Sequence, residues 1–437
     1  MKQRDIFWFW LPLFASWLLM TAEGPIVSAA INRLPNEVIM LAAQGIVVSL
    51  SVTIESPIIN LLATSTALVK DRASYLLMRR FTVHWMVLLT AVSILIAFTP
   101  AFDVVVRHWL GTPDAIADWV RPGLQIMIFW SAAIAWRRFL QGVLIHFNQP
   151  RKMAWGTAVR LFTSGGTVIA LAALTNLPGV VSGATALMAG VIAEALYATV
   201  AIRPLLQNEL ADSDKNDETP LTYRELFWFH IPLAGTAVMV LLVQPLVTFS
   251  LARLDRPTES LAAWPVIFQI MLMARAAALA LPEAVIALTK GPDTYPPIRR
   301  FSLTLAGLVA VAVALFTFSP LARLYLFGVQ DMTADVGALA QSSLVYFLPY
   351  PVLTVIDMWL RGVLINGRKT TAVNIAMVVN MVIVVVVLVL GLAGQWPGLP
   401  TAAMALNLSL LAEIIYLGWR TQRFVPIFSA KVATRNT

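Results

Sequence analysis

The sequence predicts an all-α polytopic membrane protein of 12 transmembrane helices, arranged as two parallel six-helix repeats with both termini cytoplasmic. Three observations predict it. Apolar runs of spanning length recur from Phe7 to the Trp419 region, a residue pattern recurs at constant spacing, and the basic residues gather in alternate loops.

Of the 437 residues, 59% are apolar and 12% are charged, where a soluble domain carries roughly 25% charge. The surplus of apolar side chains therefore faces lipid. The first run, Phe7 to about Ala30, is too long for the apolar core of a signal peptide and has no small-residue cleavage site, so it reads as helix one. Cysteine is absent, which removes disulfides and thiolate chemistry. His84, His108, His146 and His230 have no ligand spacing, so no metal and no cofactor is expected. The net charge of +8 does not imply nucleic acid, because cytoplasmic loops of membrane proteins collect Lys and Arg.

The apolar runs place helices beginning near residues 7, 38, 81, 122, 153, 179, 227, 260, 301, 337, 371 and 399. If these alternate sides, most of the 31 Lys and Arg residues share a face with the termini. They include Lys2, Arg4, the Lys70 to Arg80 turn, Arg151-Lys152, Lys290, Arg299-Arg300, Arg368-Lys369, Arg420 and Arg423. Arg33, Arg107, Arg121, Arg253, Arg256 and Arg323 lie opposite. The positive-inside rule then places both termini in the cytoplasm and the chain in a plasma (inner) membrane. Residues 207–224 have the mixed-charge composition of a solvated linker. The expected divisions are thus a six-helix bundle over 1–206, the linker, a second bundle over 225–421 and a basic tail over 422–437.

The halves are related in sequence. Phe7-Trp8-Phe9-Trp10-Leu11-Pro12-Leu13 returns as Phe227-Trp228-Phe229-His230-Ile231-Pro232-Leu233, an offset of 220. The same offset takes Pro25 to Pro245, Arg33 to Arg253, Arg79-Arg80-Phe81 to Arg299-Arg300-Phe301, and Gly142-Val143-Leu144-Ile145 to Gly362-Val363-Leu364-Ile365. Ala193-Glu194 with Tyr197 matches Ala412-Glu413 with Tyr416 one residue out of that register. An even number of spans per half gives parallel repeats, and two such bundles are the parts that alternating access requires. Pro12, Pro25, Pro232 and Pro245 are expected to break their helices.

Ionisable groups inside spans are costly and mark function. The candidates for a substrate or ion path are Glu23, Glu55, Arg137, Arg138, Gln244, Arg275, Asp357 and Arg361. Glu55 corresponds to Arg275 and Arg137 to Asp357, so opposite charges occupy equivalent positions. If they meet in one conformational state, Glu55 with Arg275 and Arg137 with Asp357 are latches between the halves. The competing expectation is local pairing, most directly of Asp357 with Arg361 at i+4. Glu23 beside Gly24-Pro25 is a candidate for a coupling proton or Na+, and the competing expectation is a hydrogen bond to Thr21 or a neighbouring helix. Glu194 and Glu413, retained in both halves, read as polar packing inside each bundle.

The six-plus-six repeat with proline-broken first and seventh helices resembles the multidrug, oligosaccharidyl-lipid and polysaccharide flippase superfamily, whose fold is MATE-like. Within it, Leu41-Ala42-x-x-Gly45-Ile46-x-x-Ser49-Leu50 with Ser56-Pro57, Pro245-Leu246-Val247, Trp264-Pro265-Val266, and Pro349-x-Pro351-Val352 leading to Arg368-Lys369-Thr370 are similar to the progressive ankylosis protein family. That resemblance implies export of organic or phosphorylated anions such as citrate, pyrophosphate and nucleotides. One departure stands out: the family's basic residue before the helix-seven proline is Gln244 here.

The expectation is therefore a monomeric secondary transporter, not an enzyme, that exports a small anionic substrate through the bilayer and couples to H+ or Na+, since no phosphate-binding G-x-x-x-x-G-K-[ST] motif occurs. The alternatives are a flippase for a lipid-linked precursor, a cationic multidrug exporter, and a membrane scaffold that transports nothing.

Overall fold

A computed structural model describes residues 2–147, 149–208, 221–289, 291–367 and 369–422. Most of the linker and nearly all of the tail, residues 209–220 and 423–437, lie outside the described residues, as do Lys290 and Arg368. Among the described residues every regular element is helical. The chain-order helices are α1 (Gln3–Ile31), α2 (Glu37–Leu68), α3 (Arg72–Phe98), α4 (Asp114–Ile126), α5 (Trp130–His146), α6 (Arg151–Leu174), α7 (Gly179–Asn208), α8 (Tyr223–Leu251), α9 (Pro257–Leu288), α10 (Tyr295–Phe318), α11 (Ala334–Phe347), α12 (Pro349–Asn366), α13 (Thr371–Ala393) and α14 (Gly398–Gln422).

Ten of these are long and apolar enough to cross a membrane, and eleven spans result if α11 and α12, bent by 40°, count as one. The chain is a multi-pass membrane protein. The remaining expected span, near residue 122, is divided between α4 and α5, whose 13 and 17 residues are each short of a crossing. The interruption at 127–129 has its counterpart at Leu348 between α11 and α12, again 220 residues on.

The prolines behave differently from one another. Helix runs straight through Pro12 over Gln3–Thr21 and through Pro232 over Tyr223–Leu241, so the expectation that these two break the chain is corrected. A missing amide removes one i→i−4 bond, and the flanking turns sustain the helix. The joints fall instead at Ala22 and Leu242, three residues before Pro25 and Pro245, where a new helix starts. Proline is tolerated in the first turn of a helix because the amides there have no intrahelical partner.

The chain packs as two compact units, residues 26–252 and residues 1–25 with 253–437. These differ from the sequence halves: residues 1–25 belong with second-half helices, and residues 225–252 with first-half helices. In the unit containing both termini, Ile6 and Trp10 are buried in one apolar core with Leu281, Val285, Phe301 and Leu360. Trp10 stacks on Phe14 at 4.9 Å and meets the Phe301 ring edge-on at 5.8 Å. In the central unit His230 of α8 lies edge-on to Phe81 at 5.4 Å and to Trp85 at 5.7 Å, both on α3.

Within each unit a glycine lets two helices touch. A methyl group on Gly142 of α5 would overlap the Leu62 carbonyl and the Ser65 hydroxyl of α2. On Gly362 of α12 it would come within 2.8 Å of Val285 Cβ and 3.2 Å of Pro282 Cα on α9. The positions 62, 65 and 142 become 282, 285 and 362 by the repeat offset, so the close crossing is duplicated with the sequence.

Candidate functional site

In the central unit, Arg137 and Gln141 stand one turn apart on α5 and both reach Glu194 on α7. The Arg137 guanidinium is 2.9 Å from Glu194 Oε1, and Gln141 Nε2 donates to the same oxygen at 3.0 Å. Arg160 of α6 approaches Oε2 at 3.8 Å and lies over the Trp130 ring at 5.5 Å. Arg137 is 5% exposed and Glu194 fully buried. Removing either partner strands a charge in a low-dielectric interior, which makes this pair structural cement.

Glu55, 7% exposed at the end of the first stretch of α2, stands within the fields of Arg160, Arg137 and Arg138. Its Oε2 is buried without a hydrogen-bond donor. The Trp130 indole N–H is buried and has no hydrogen-bond acceptor. Arg138 forms neither an ion pair nor a hydrogen bond among the described residues, and its Nε is buried.

The terminal unit carries the equivalent cluster with other charges. Arg361 on α12 touches two carboxylates: its Nε lies 2.8 Å from Asp357 Oδ2, a close ion contact in which the N–H is not aligned on the oxygen, and a terminal nitrogen bonds Glu413 of α14. Asn380 Nδ2 of α13 donates to the other Glu413 oxygen at 3.0 Å. Arg275 of α9 donates to Thr354 Oγ1 at 3.0 Å and lies over the Tyr350 ring at 4.4 Å.

Arg137 and Asp357, expected as one latch, thus each have a partner inside their own unit. A carboxylate one helical turn away, or on the neighbouring helix, neutralises a guanidinium without requiring any movement of a bundle. The four equivalent positions 55/275, 137/357, 141/361 and 194/413 hold Glu, Arg, Gln, Glu in one unit and Arg, Asp, Arg, Glu in the other. Of the remaining candidates, Glu23 is 8% exposed just past the α1 joint, and the Thr21 hydroxyl donates to the Leu18 carbonyl at 2.9 Å. Gln244 is half-buried and its carbonyl accepts from Thr248 at 3.0 Å.

Sequence reasoning passed over Asn380, Thr354 and Trp130. Asn380 had a usable signal, being an amide inside the aliphatic run Val378-Val379-Asn380-Met381-Val382. Thr354 and Trp130 had none, since both fit a helix of this composition. Among the described residues there is no group of three or more His, Asp or Glu able to hold a metal ion.

No protein-family model and no curated protein sequence matches the chain. Solved structures do. The chain is similar to an inward-facing multidrug resistance MATE family transporter of the MOP superfamily, with a TM-score of 0.73 and 14% identity over 95% of this chain and 96% of that one. It is similar to the lipid II flippase MurJ in an inward closed conformation, with 0.72 and 10% over 94% and 87%. A MOP superfamily transporter from Pyrococcus furiosus, described as having a binding pocket of reverse polarity, gives 0.66 and 13% over 98% and 96%. The similarity to the progressive ankylosis family rests on the short sequence motifs alone. From end to end, the chain has the fold that MATE transporters and the lipid II flippase share.

Proposed function

We propose that the protein is a transporter of the MOP superfamily that carries its substrate across a bilayer by alternating access, not an enzyme. The observation that carries this reading is the fold similarity, which extends over at least 94% of the chain and includes transporters and a flippase of that superfamily. The duplicated sequence and the charged groups retained inside spans support it, because a bundle that only spanned the membrane would have little use for costly buried ions. The basic loops support a reading in which both termini are cytoplasmic and the membrane is the plasma membrane.

The substrate is a small organic or phosphorylated anion, and the movement is outward, coupled to H+ or Na+. Arg138, a guanidinium inside the bundle with no carboxylate bonded to it, favours an anion. The motifs similar to the progressive ankylosis family point the same way. A lipid-linked precursor flippase is the second reading, favoured by a similarity to MurJ nearly equal to that with the MATE transporter.

The test is flux from proteoliposomes loaded separately with citrate, pyrophosphate and a cationic dye, beside a fluorescent lipid-scrambling measurement. Movement of citrate or pyrophosphate under an imposed ion gradient is expected. Export of the dye alone overturns the anion reading, lipid movement alone transfers the function to a flippase, and no movement of any of them overturns transport.

A further inference from the structure

The first turns of α10 expose two adjacent guanidinium groups. Arg299 and Arg300 are both exposed, and among the described residues neither is paired with a carboxylate. Asp293, the acidic residue nearest to them in sequence, forms no ion pair with either. The two arginines line one open groove with Tyr295, Pro296, Leu303 and Thr304. Positions 295/296, 299/300 and 303/304 are spaced by four, so these side chains form one row along the helix.

Beyond the arginines the row becomes an apolar face. Leu308, Leu315 and Phe318 are 62, 61 and 71% exposed. Gly307 lies between Leu303 and Val311 on that face, and a methyl group added to it would meet no protein atom within 4 Å. The face is thus notched on its outer side. Arg300 and Phe318 are about 27 Å apart along the helix at 1.5 Å per residue, close to the thickness of a hydrocarbon core. The Gln3 side chain donates to the Pro297 carbonyl at 2.8 Å, so the arginines stand at the same end of their unit as the N-terminus of the chain.

The central unit repeats the arrangement at the offset of 220. Arg79 and Arg80 are exposed on α3 without a carboxylate partner among the described residues, and Leu88, Leu95 and Phe98 stand where α10 has Leu308, Leu315 and Phe318. Two positions differ. Val87 takes the place of Gly307, and His84, in the place of Thr304, is hydrogen-bonded to the Tyr223 hydroxyl at 2.8 Å. The groove on α10 is therefore the more open of the two. The other ends of these helices lack the arrangement: Arg107, past α3, contacts Asp103, Asp114 and Asp118, and Arg323, past α10, is exposed with no second cation beside it.

We propose that Arg299 and Arg300 bind the phosphate of an anionic phospholipid whose acyl chain lies along Leu303, Gly307 and Val311, and that Arg79 and Arg80 hold a second such lipid more weakly. Guanidinium forks match phosphate oxygens, and arginines with no carboxylate of their own take their counter-charge from the membrane surface. A soluble anion would meet the arginines and gain nothing from the apolar face below them. The lipid sits on the outer surface of a helix and is not carried, so its binding is independent of the transported substrate and of transport itself.

The experiment uses the full chain in neutral detergent, titrated with phosphatidylglycerol or phosphatidylcholine, with the thermal unfolding midpoint followed and bound lipid counted by native mass spectrometry. Phosphatidylglycerol is expected to raise the midpoint saturably above phosphatidylcholine. Arg299→Gln and Arg300→Gln should each weaken that response about fivefold, the contribution of one arginine at an anionic surface. Arg323→Gln should leave it unchanged. Gly307→Val, which fills the notch and alters no charge, should weaken it several-fold without moving the midpoint in phosphatidylcholine. Arg79→Gln combined with Arg80→Gln should remove only the weaker step. The site is overturned if phosphatidylglycerol does no better than phosphatidylcholine, if neither arginine of α10 matters, or if Arg323→Gln weakens the response equally, which would reduce it to net charge. An unchanged response in Gly307→Val overturns the path of the acyl chain, and loss of the tighter step with Arg79 and Arg80 overturns its assignment to α10. Glycerol 1-phosphate, which has the phosphate and no chains, should give no shift at equal concentration; a shift as large as the lipid's transfers the groove to a soluble anion.

Discussion

Trp10 donates its indole N–H to the carbonyl of Ala277 at 3.0 Å. At the positions displaced by 220, His230 Nε2 lies 3.0 Å from the carbonyl of Pro57. A carbonyl can only accept, so Nε2 carries a proton, and in the neutral ring Nδ1 accepts from the Thr64 hydroxyl at 2.9 Å. Different rings therefore make the same contact in the two units. Each anchors the first helix of one sequence half beside the joint in the second helix of the other half.

If this contact holds α1 and α8 in place, Trp10→Phe should lower the stability of the purified protein by about 1 kcal/mol, the net value of one buried bond to a carbonyl. His230→Phe should cost a similar amount, since the Thr64 hydroxyl keeps its bond to the Asn60 carbonyl at 3.0 Å. Thermal unfolding in detergent measures both, and His230→Trp is expected to restore part of the loss.

The buried ion pair makes a prediction about order. Glu194→Gln or Arg137→Gln alone leaves a charge in the bundle and should destabilise by about 3 kcal/mol. The double substitution removes both charges and should be less damaging than the sum of the singles. A double-mutant cycle on unfolding midpoints checks it; simple additivity would show that the pair is not coupled.

In the terminal unit one guanidinium serves two carboxylates. Removing it by Arg361→Gln leaves Asp357 and Glu413 facing each other without a counter-charge, and the yield of folded protein should collapse. Asp357→Asn keeps Arg361 bound to Glu413 and should be tolerated far better. Size-exclusion profiles of the two variants from equal cultures distinguish them.

The duplicated crossing predicts an asymmetry. Gly142→Ala would drive a methyl into a backbone carbonyl that cannot move without unwinding α2, at a cost of roughly 3 kcal/mol. At Gly362 the obstacles are Val285 Cβ and Pro282 Cα, 2.8 and 3.2 Å away, which a small shift of α9 relieves. Unfolding of the two alanine variants should rank Gly142→Ala as the more destabilised.

Much of the architecture was legible because its causes are local or periodic. A run of apolar residues long enough for a bilayer is a helix there whatever surrounds it, since backbone groups in lipid must be satisfied within the segment. The repeat was legible because Phe7-Trp8-Phe9 and Phe227-Trp228-Phe229 survive nearly unchanged. The prolines were half legible: Pro25 and Pro245 do mark joints, but Pro12 and Pro232 are equally plain in sequence and sit in continuous helix. Absorbing the missing bond is decided by neighbouring turns and not by the proline.

The sequence by itself determined that this is a twice-repeated membrane helical protein, and which side chains would be expensive inside it. Tertiary structure alone decided their partners. Arg137 meets Glu194 across 57 positions and Arg361 meets Glu413 across 52, on helices whose rotation about their own axes no periodicity reveals. It also decided that residues 1–25 and 225–252 pack with the opposite halves. The physical reason is the same in both cases. Segment length and hydropathy act through the solvent one helix meets, whereas the pairing of charges depends on which faces are brought together when all the helices pack at once.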